Sequence, residues 1–172
     1  ATCPKSTTTL TGAPTGGTFS VVTAGGGTIS GTTYTAPATA GTYTLRYDYT
    51  DANTCTNFTT QPITVNSKIG LTAMSFSSST VCVGSTVTAQ STPTGGTWSV
   101  LSGPGTINAS TGIISPTGST MIDVRYIHPG VSGTSCPDTV MGSITPLANP
   151  IAIMTSSSAA MCVNTTRALT GT

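Results

Sequence analysis

Charge is what this chain has least of. Only 5% of its residues are Asp, Glu, Lys or Arg, and glutamate does not occur at all; about a quarter is usual. Five basic side chains against four acidic ones leave a net charge of +1. Cations so few and scattered cannot track a phosphate backbone, which excludes nucleic acid as a partner. Histidine is nearly missing too. His128 stands alone before Pro129, where a surface or turn role is the ordinary reading, and no CxxC spacing accompanies it, so neither zinc nor any other metal is expected. The whole acidic inventory is Asp48, Asp51, Asp123 and Asp138, too sparse for paired acid-base work. Asp48, Asp51 and Asn53 could gather calcium oxygens, but the matching places later in the chain hold Ile127, Gly130 and Ser132, which argues against it. No GxSxG and no phosphate-cradling glycine loop occurs. We therefore expect no catalytic residue, no cofactor and no enzyme activity.

Long apolar runs are also lacking, and none approaches the roughly 20 residues that cross a bilayer. A soluble chain without a membrane span is expected. No charged-then-apolar leader stands before Ala1, so an export signal is expected to have been removed or to lie outside these residues. Helix formers are scarce as well. Thr, Val and Ile disfavour helix, and Gly and Pro interrupt every stretch long enough for three turns.

What the chain does have is repetition. Pro14-Thr15-Gly16-Gly17-Thr18-Phe19-Ser20-Val21 returns as Pro93-Thr94-Gly95-Gly96-Thr97-Trp98-Ser99-Val100, a shift of 93 − 14 = 79 residues. Cys3, Cys82 and Cys162 open successive copies, and Leu169-Thr170-Gly171 restarts Leu10-Thr11-Gly12. The expected organisation is residues 1–67 as a first unit lacking its first strand, 68–148 as a second, and 149–172 as the start of a third. Units of this size lie near the lower limit for independent domains and need extra fastening.

The cysteines obey the repeat. Cys3 and Cys55 fall in the first unit and Cys82 and Cys136 in the second, at spacings of 52 and 54. That reads as one disulfide per unit, Cys3 to Cys55 and Cys82 to Cys136, with the partner of Cys162 beyond residue 172. Such bonds imply an oxidising compartment, and hence an extracellular or cell-surface location.

Strands are expected throughout, about seven per complete unit, in a two-sheet sandwich. The clearest runs from Thr42 to Tyr49, where Tyr43, Leu45, Tyr47 and Tyr49 alternate with Thr44, Arg46 and Asp48, one face buried and one wet. Ile122, Val124 and Tyr126 alternate with Asp123 and Arg125 in the same register. Arg46 with Asp48, and Arg125 with Asp123, read as exposed charge pairs in preference to ligand sites. Phe19 and Trp98 read as core in preference to a sugar-stacking platform. Gly25-Gly26-Gly27 and Gly103-Pro104-Gly105 occupy matching turns.

Ile69 to Met74 and Ile151 to Met154 would supply an apolar first strand to the units they precede, and no such strand precedes Cys3. Either the chain continues upstream, which is the favoured reading, or Ile151 to Met154 of one copy enters the first unit of a neighbour by strand addition. The intact mass of the purified chain separates the two.

Cys82-Val83-Gly84-Ser85-Thr86-Val87, then Gly95-Gly96-Thr97-Trp98-Ser99, then Val124-Arg125-Tyr126 and Cys136 together resemble the Ig-like and PKD-like repeats of very large secreted surface adhesins and filament proteins of gliding bacteria, exported by the type IX pathway. The likeness covers both units and the start of the third. It implies an extracellular, disulfide-bearing, all-β chain of tandem immunoglobulin-like sandwiches that extends, spaces or self-associates. One departure is Ser119-Thr120-Met121, where the first unit keeps Gly41-Thr42-Tyr43. Similar bacteria attach sugar at Asp-Ser/Thr-apolar triplets, so Asp138-Thr139-Val140 makes Thr139 an O-glycosylation candidate; Asn57, Asn108 and Asn164 begin N-linked triplets of lower rank. The leading functional expectation is a structural repeat protein of a filament or long adhesin. A glycan- or surface-binding module using the Gly25 to Gly27 turn or the loop from Tyr49 to Cys55 is the alternative.

Overall fold

The computed structural model describes residues 1–155 and 170–171. Every regular element in it is a strand. The earlier half contains β1 (Thr7–Thr9), β2 (Thr18–Val21), β3 (Thr28–Ser30), β4 (Thr33–Thr35), β5 (Gly41–Thr50) and β6 (Thr56–Val65). The later half contains β7 (Ser75–Phe76), β8 (Val87–Gln90), β9 (Thr97–Ser102), β10 (Gly105–Ile107), β11 (Ile113–Pro116), β12 (Ile122–His128) and β13 (Asp138–Ile144). A last pair, β14 (Met154–Thr155) and β15 (Thr170–Gly171), is antiparallel.

In the later half one sheet has the order β10-β11-β8-β7 and the other β13-β12-β9. Numbered from the first strand, that is the A-B-E-D sheet and the C-F-G sheet of an immunoglobulin-type sandwich. Val87 and Ala89 of β8 and Ile114 of β11 share one buried cluster with Trp98, Ile122, Val124, Tyr126 and Ile144 from the other sheet. Two sheets contributing to one core is what makes the layers a sandwich. The earlier half repeats the order without its first member, β1-β4-β3 facing β2-β5-β6. Its core joins Tyr34 and Ala36 to Tyr43, Leu45 and Val65.

Alternation did its work where a strand is central. β12 runs buried and half-buried in strict succession, and Tyr43, Leu45 and Tyr47 are buried on β5. Only the end of β6, Ile63 to Val65, carries an apolar alternation, yet the strand begins at Thr56. Most of β6 is exposed, because along all but its last residues, where Thr2 lies beside it, it is an edge strand paired to β5 alone, so pairing, not burial, extends it. Pro62 fits there since an edge position can dispense with its N–H. The apolar run from Ile69 to Met74 is likewise not a full strand. Leu71 and Met74 pack against the core while only Ser75–Phe76 pair with β8; residues spaced three apart do not follow a two-residue strand period.

Trp98 is buried, with its ring centroid 4.4 Å from that of Tyr126. Phe19 and Tyr47 form the same pair at 4.6 Å. Each tyrosine hydroxyl then ties down the turn ahead of the aromatic strand. Gly17 N–H donates to Tyr47 Oη at 2.8 Å and Gly96 N–H to Tyr126 Oη at 2.7 Å, while the hydroxyls donate to the carbonyls of Pro14 and Pro93. A Cβ at Gly17 or Gly96 would collide with the backbone oxygen of Asp48 or Ile127 and with the tyrosine ring. The repeated Gly-Gly thus has a packing cause. Tyr126→Phe is expected to cost about 1–2 kcal/mol by orphaning both partners of the hydroxyl, and Gly96→Ala about 3 kcal/mol by overpacking against backbone; urea unfolding of the two variants checks the order.

Candidate functional site

The polar chemistry of this chain concentrates where its two halves meet. Thr2 lies alongside the end of β6, its N–H donating to Thr64 O at 2.8 Å and its carbonyl accepting from Asn66 N at 2.9 Å. Ser6 Oγ donates to Cys3 O at 2.7 Å, which holds the turn that carries Cys3. From the other half, Cys136 N–H donates to Ser67 O at 2.7 Å and Ile69 N–H to Cys136 O at 3.0 Å. Between these segments runs one disulfide, Cys3 to Cys136, with Cα atoms 5.6 Å apart and a sequence separation of 133.

This connectivity replaces both bonds expected from spacing. Cys3 is not joined to Cys55, nor Cys82 to Cys136; Cys55 and Cys82 are exposed thiols. The reason is the length of the ladders. β5 and β6 pair from Thr50↔Thr56 to Gly41↔Val65, nine steps or about 30 Å of strand. Cys55 sits just past one end and Thr2 bridges Val65 at the other. Cys136 precedes Asp138 at one end of β13, while Cys82 bridges Leu147 beyond the other end, Ile144. A disulfide needs Cα atoms about 4–7 Å apart. Regular spacing in sequence recorded opposite ends of a sandwich, not neighbours. Cys162 lies outside the described residues.

Beside the disulfide, Asp138 gathers the junction. Its carboxylate accepts from Lys68 Nζ at 3.0 Å, from Leu71 N at 3.3 Å and from Thr139 N at 3.0 Å. The hydrogen bond from Lys68 holds its carboxyl below the usual carboxylate range, against the opposing effect of partial burial, with the two backbone N–H groups and the Lys68 charge adding to the depression. Sequence reading did not single out Lys68 or the role of Asp138. A signal existed. Tyr49↔Asn57 corresponds to His128↔Asp138 under the repeat, so Asp138 stands where the earlier unit has Asn57; and since Asn66 N bonds Thr2 O as Leu147 N bonds Val81 O, Lys68, two residues past Asn66, stands where Asn149 follows Leu147. Two coincident departures from the repeat meet in one ion pair.

The other singled-out residues are dispersed. Arg46 donates from Nε and Nη2 to Asp48 Oδ1 at 2.8 and 2.6 Å and lies 3.9 Å over the ring of exposed Phe58. Arg125 instead reaches Ser99 Oγ at 3.3 Å, and Asp123 accepts from Ser102 Oγ at 2.6 Å, so the expected second charge pair is not made. These partners are nearer because Ser99 and Ser102 flank the pair on β9, in register with Arg125 and Asp123. Asp51 Oδ1 accepts from the N–H groups of Asn53 and Cys55, which closes a turn and does not turn oxygens toward a cation. His128 is buried, not at the surface. Its Nδ1 accepts from Gly130 N at 3.0 Å, which assigns the proton to Nε2, facing Thr94 O at 3.1 Å. Among the described residues no buried side-chain nitrogen or oxygen lacks a partner, and each of the four carboxylates is engaged by a different partner. Thr139 is exposed at the start of β13.

One apolar feature differs between the halves. A groove of about 400 Å³ is lined by Leu10, Phe19, Leu45, Tyr47 and Ile63. In the later half Ala89, Trp98 and Tyr126, the equivalents of Leu10, Phe19 and Tyr47, also line an open space, of about 520 Å³, but Leu71 and Met74 pack against the core beside it, and a Cβ at Gly142 would strike the Met74 side chain.

No family model matches the chain, and no curated protein matches it. Among solved structures it is similar to the C-terminal 282-residue fragment of intimin, crystallised with the intimin-binding domain of the translocated intimin receptor Tir, at 11% identity and a TM-score of 0.34. The match covers 88% of this chain and 59% of that one, so the chain spans about three fifths of the fragment's length. Among the described residues no helix is long and apolar enough to cross a membrane.

Substitutions at the junction should register as losses of stability. Cys136→Ser, which opens the 133-residue closure, should cost roughly 2–5 kcal/mol in urea unfolding under non-reducing conditions. Asp138→Ala should cost about 1–2 kcal/mol, and Lys68→Ala, at an exposed ammonium, under about 1 kcal/mol. Because the folded-state pKa of Asp138 is depressed, its contribution is full above the unfolded value near 4 and fades as pH falls through the lower folded value. The gap between wild type and Asp138→Ala should therefore close on acidification below about pH 4.

Proposed function

We propose that the chain is a structural repeat protein, part of an extracellular filament or long cell-surface adhesin, without catalytic activity. In this reading residues 1–67 and 68–148 are successive Ig-like repeats and 149–172 begin a third. The observation that carries it is the Cys3 to Cys136 disulfide, a covalent tie between the opening of one half and the far end of the next. A bond so placed resists separation of the two halves under tension, which a bond inside each half would not. An oxidising, extracellular setting follows from the same bond.

Scarcity of charge supports assembly. β6 is a ten-residue edge strand, exposed along nearly its whole length and free of Lys, Arg, Asp or Glu. Such an edge has little electrostatic protection against pairing with another chain. The open groove beside Leu10 and Ile63 adds a second route. Ile151 and Ile153 are exposed, and Ile151 to Met154 follow the second repeat as Leu71 to Met74 follow the first, so this segment of one copy could fill the groove of a neighbour by strand addition. A glycan- or surface-binding module is the second reading, favoured by the exposed Phe58 ring with the Arg46 guanidinium stacked on it. Thr139, exposed beside Asp138, is the proposed O-glycan site.

Negative-stain electron microscopy of the native material is expected to show filaments or long thin surface fibres. Dispersed compact particles at high concentration, together with glycan-array binding abolished by Phe58→Ala, would instead establish the binding module.

A further inference from the structure

Cys55 and Cys82 are left as thiols at positions that are bonded elsewhere in the same molecule. Cys82 is the repeat equivalent of Cys3, since 82 − 79 = 3. The hydrogen bonds agree. Asn66 N donates to Thr2 O, the residue before Cys3, and Leu147 N donates to Val81 O, the residue before Cys82. Cys55 is the equivalent of Cys136. It lies two residues before Asn57, which pairs with Tyr49, as Cys136 lies two residues before Asp138, which pairs with His128, and 49 + 79 = 128. Among the described residues there is therefore one completed bond between an opening cysteine and a late cysteine of the following repeat, with one late cysteine, Cys55, and one opening cysteine, Cys82, left as thiols.

The surroundings carry the same relation. Cys136 is buried by the segment Ser67 to Ile69 that arrives from the preceding half, whereas Cys55 is exposed. The ion pair that accompanies the completed bond, Lys68 with Asp138, has as equivalents Asn149 and Asn57, two uncharged amides able to hydrogen-bond each other. A junction that brought Asn149 against Asn57 would carry no unpaired charge.

We propose that Cys55 and Cys82 are inter-repeat disulfide sites: Cys82 bonds the late cysteine of the repeat that follows, and Cys55 the opening cysteine of the repeat that precedes. This rests on the reading of the chain as a repeat array. The ligand in each case is the thiol of an adjoining Ig-like repeat, carried on a further stretch of the same polypeptide or on a second copy, where Cys82 of one copy meets Cys55 of the next. The array becomes a continuous covalent ladder with one cross-link per junction. Each bond forms by thiol–disulfide exchange with a disulfide oxidant such as oxidised glutathione. One protein thiolate attacks it and releases one glutathione thiol, and the second protein thiolate displaces the other, so two protein thiols are oxidised as one disulfide is reduced to two thiols.

The test is a non-reducing peptide map of the native material. Thiols are blocked with iodoacetamide before any reduction, the protein is digested with pepsin at low pH to suppress exchange, and the intact mass of the reduced chain is measured in parallel. A Cys82 peptide linked to a Cys55 peptide, with the reduced chain at 17.1 kDa and the unreduced material at multiples of it, supports the proposal with a second copy as the source. Cys82 and Cys55 linked to cysteine peptides outside the 172 residues, with a heavier reduced chain, supports it with the polypeptide's own further repeats as the source. Carbamidomethylated Cys55 or Cys82, symmetric Cys55–Cys55 or Cys82–Cys82 peptides, or a Cys55–Cys82 bond within one chain overturns it. Filaments seen by microscopy alongside such a result would leave the repeat-array reading standing and remove the staple alone.

Discussion

The length of one antiparallel ladder governs most of what is particular to this molecule. β5 and β6 pair over ten residues, and everything that enters the sandwich at one end of that ladder is about 30 Å from what turns at the other. Cys3 enters at one end and Cys55 turns at the other. No local adjustment brings them together, so Cys3 finds its partner across a junction, in a bond that joins residues 133 apart, and Cys55 stays an exposed thiol. Closing so long a loop contributes about 5 kcal/mol in the chain-entropy model, a large fraction of what a domain of this size commonly has in total.

Within each half, cohesion comes from aromatic packing with a polar lock. Tyr47 and Tyr126 lie against Phe19 and Trp98, and their hydroxyls reach the backbone of the Gly-Gly turn ahead. The ring supplies buried area and the hydroxyl supplies direction, which fixes the entry of β2 and of β9 into their sheets. This explains why the turn and the aromatic recur as one block in the sequence. The glycine is required by the ring that covers it, not by the turn alone.

Function follows from what surrounds that core. A surface of Thr, Ser and Gly with few charges leaves polar backbone edges open, and each of the four carboxylates is engaged by a different partner. Polar side chains are used up in closing turns and the junction: Asp51 on its own loop, His128 between Gly130 and Thr94, Asp138 on Lys68. Side chains committed in this way hold shape. Among the described residues the junction is where disulfide, ion pair and backbone bonds coincide, which makes it the site of interest.

Periodicity in the sequence determined that the chain is all-β, which strands are central, that Trp98 lies in a core, and that Cys3 and Cys82 occupy like positions. These are local or repeating properties, written in alternation and in the 79-residue shift, and they survive without knowledge of neighbours. It did not determine β6 beyond its buried end, because an edge strand forms by pairing and leaves no burial pattern, nor the partners of Arg125 and Asp123, which two serines on β9 decided. Above all it did not determine the sulfur connectivity. Equal spacing within each unit is the same whether the two cysteines face each other or stand at opposite ends of a sandwich, and only the path of the strands through space distinguishes the two.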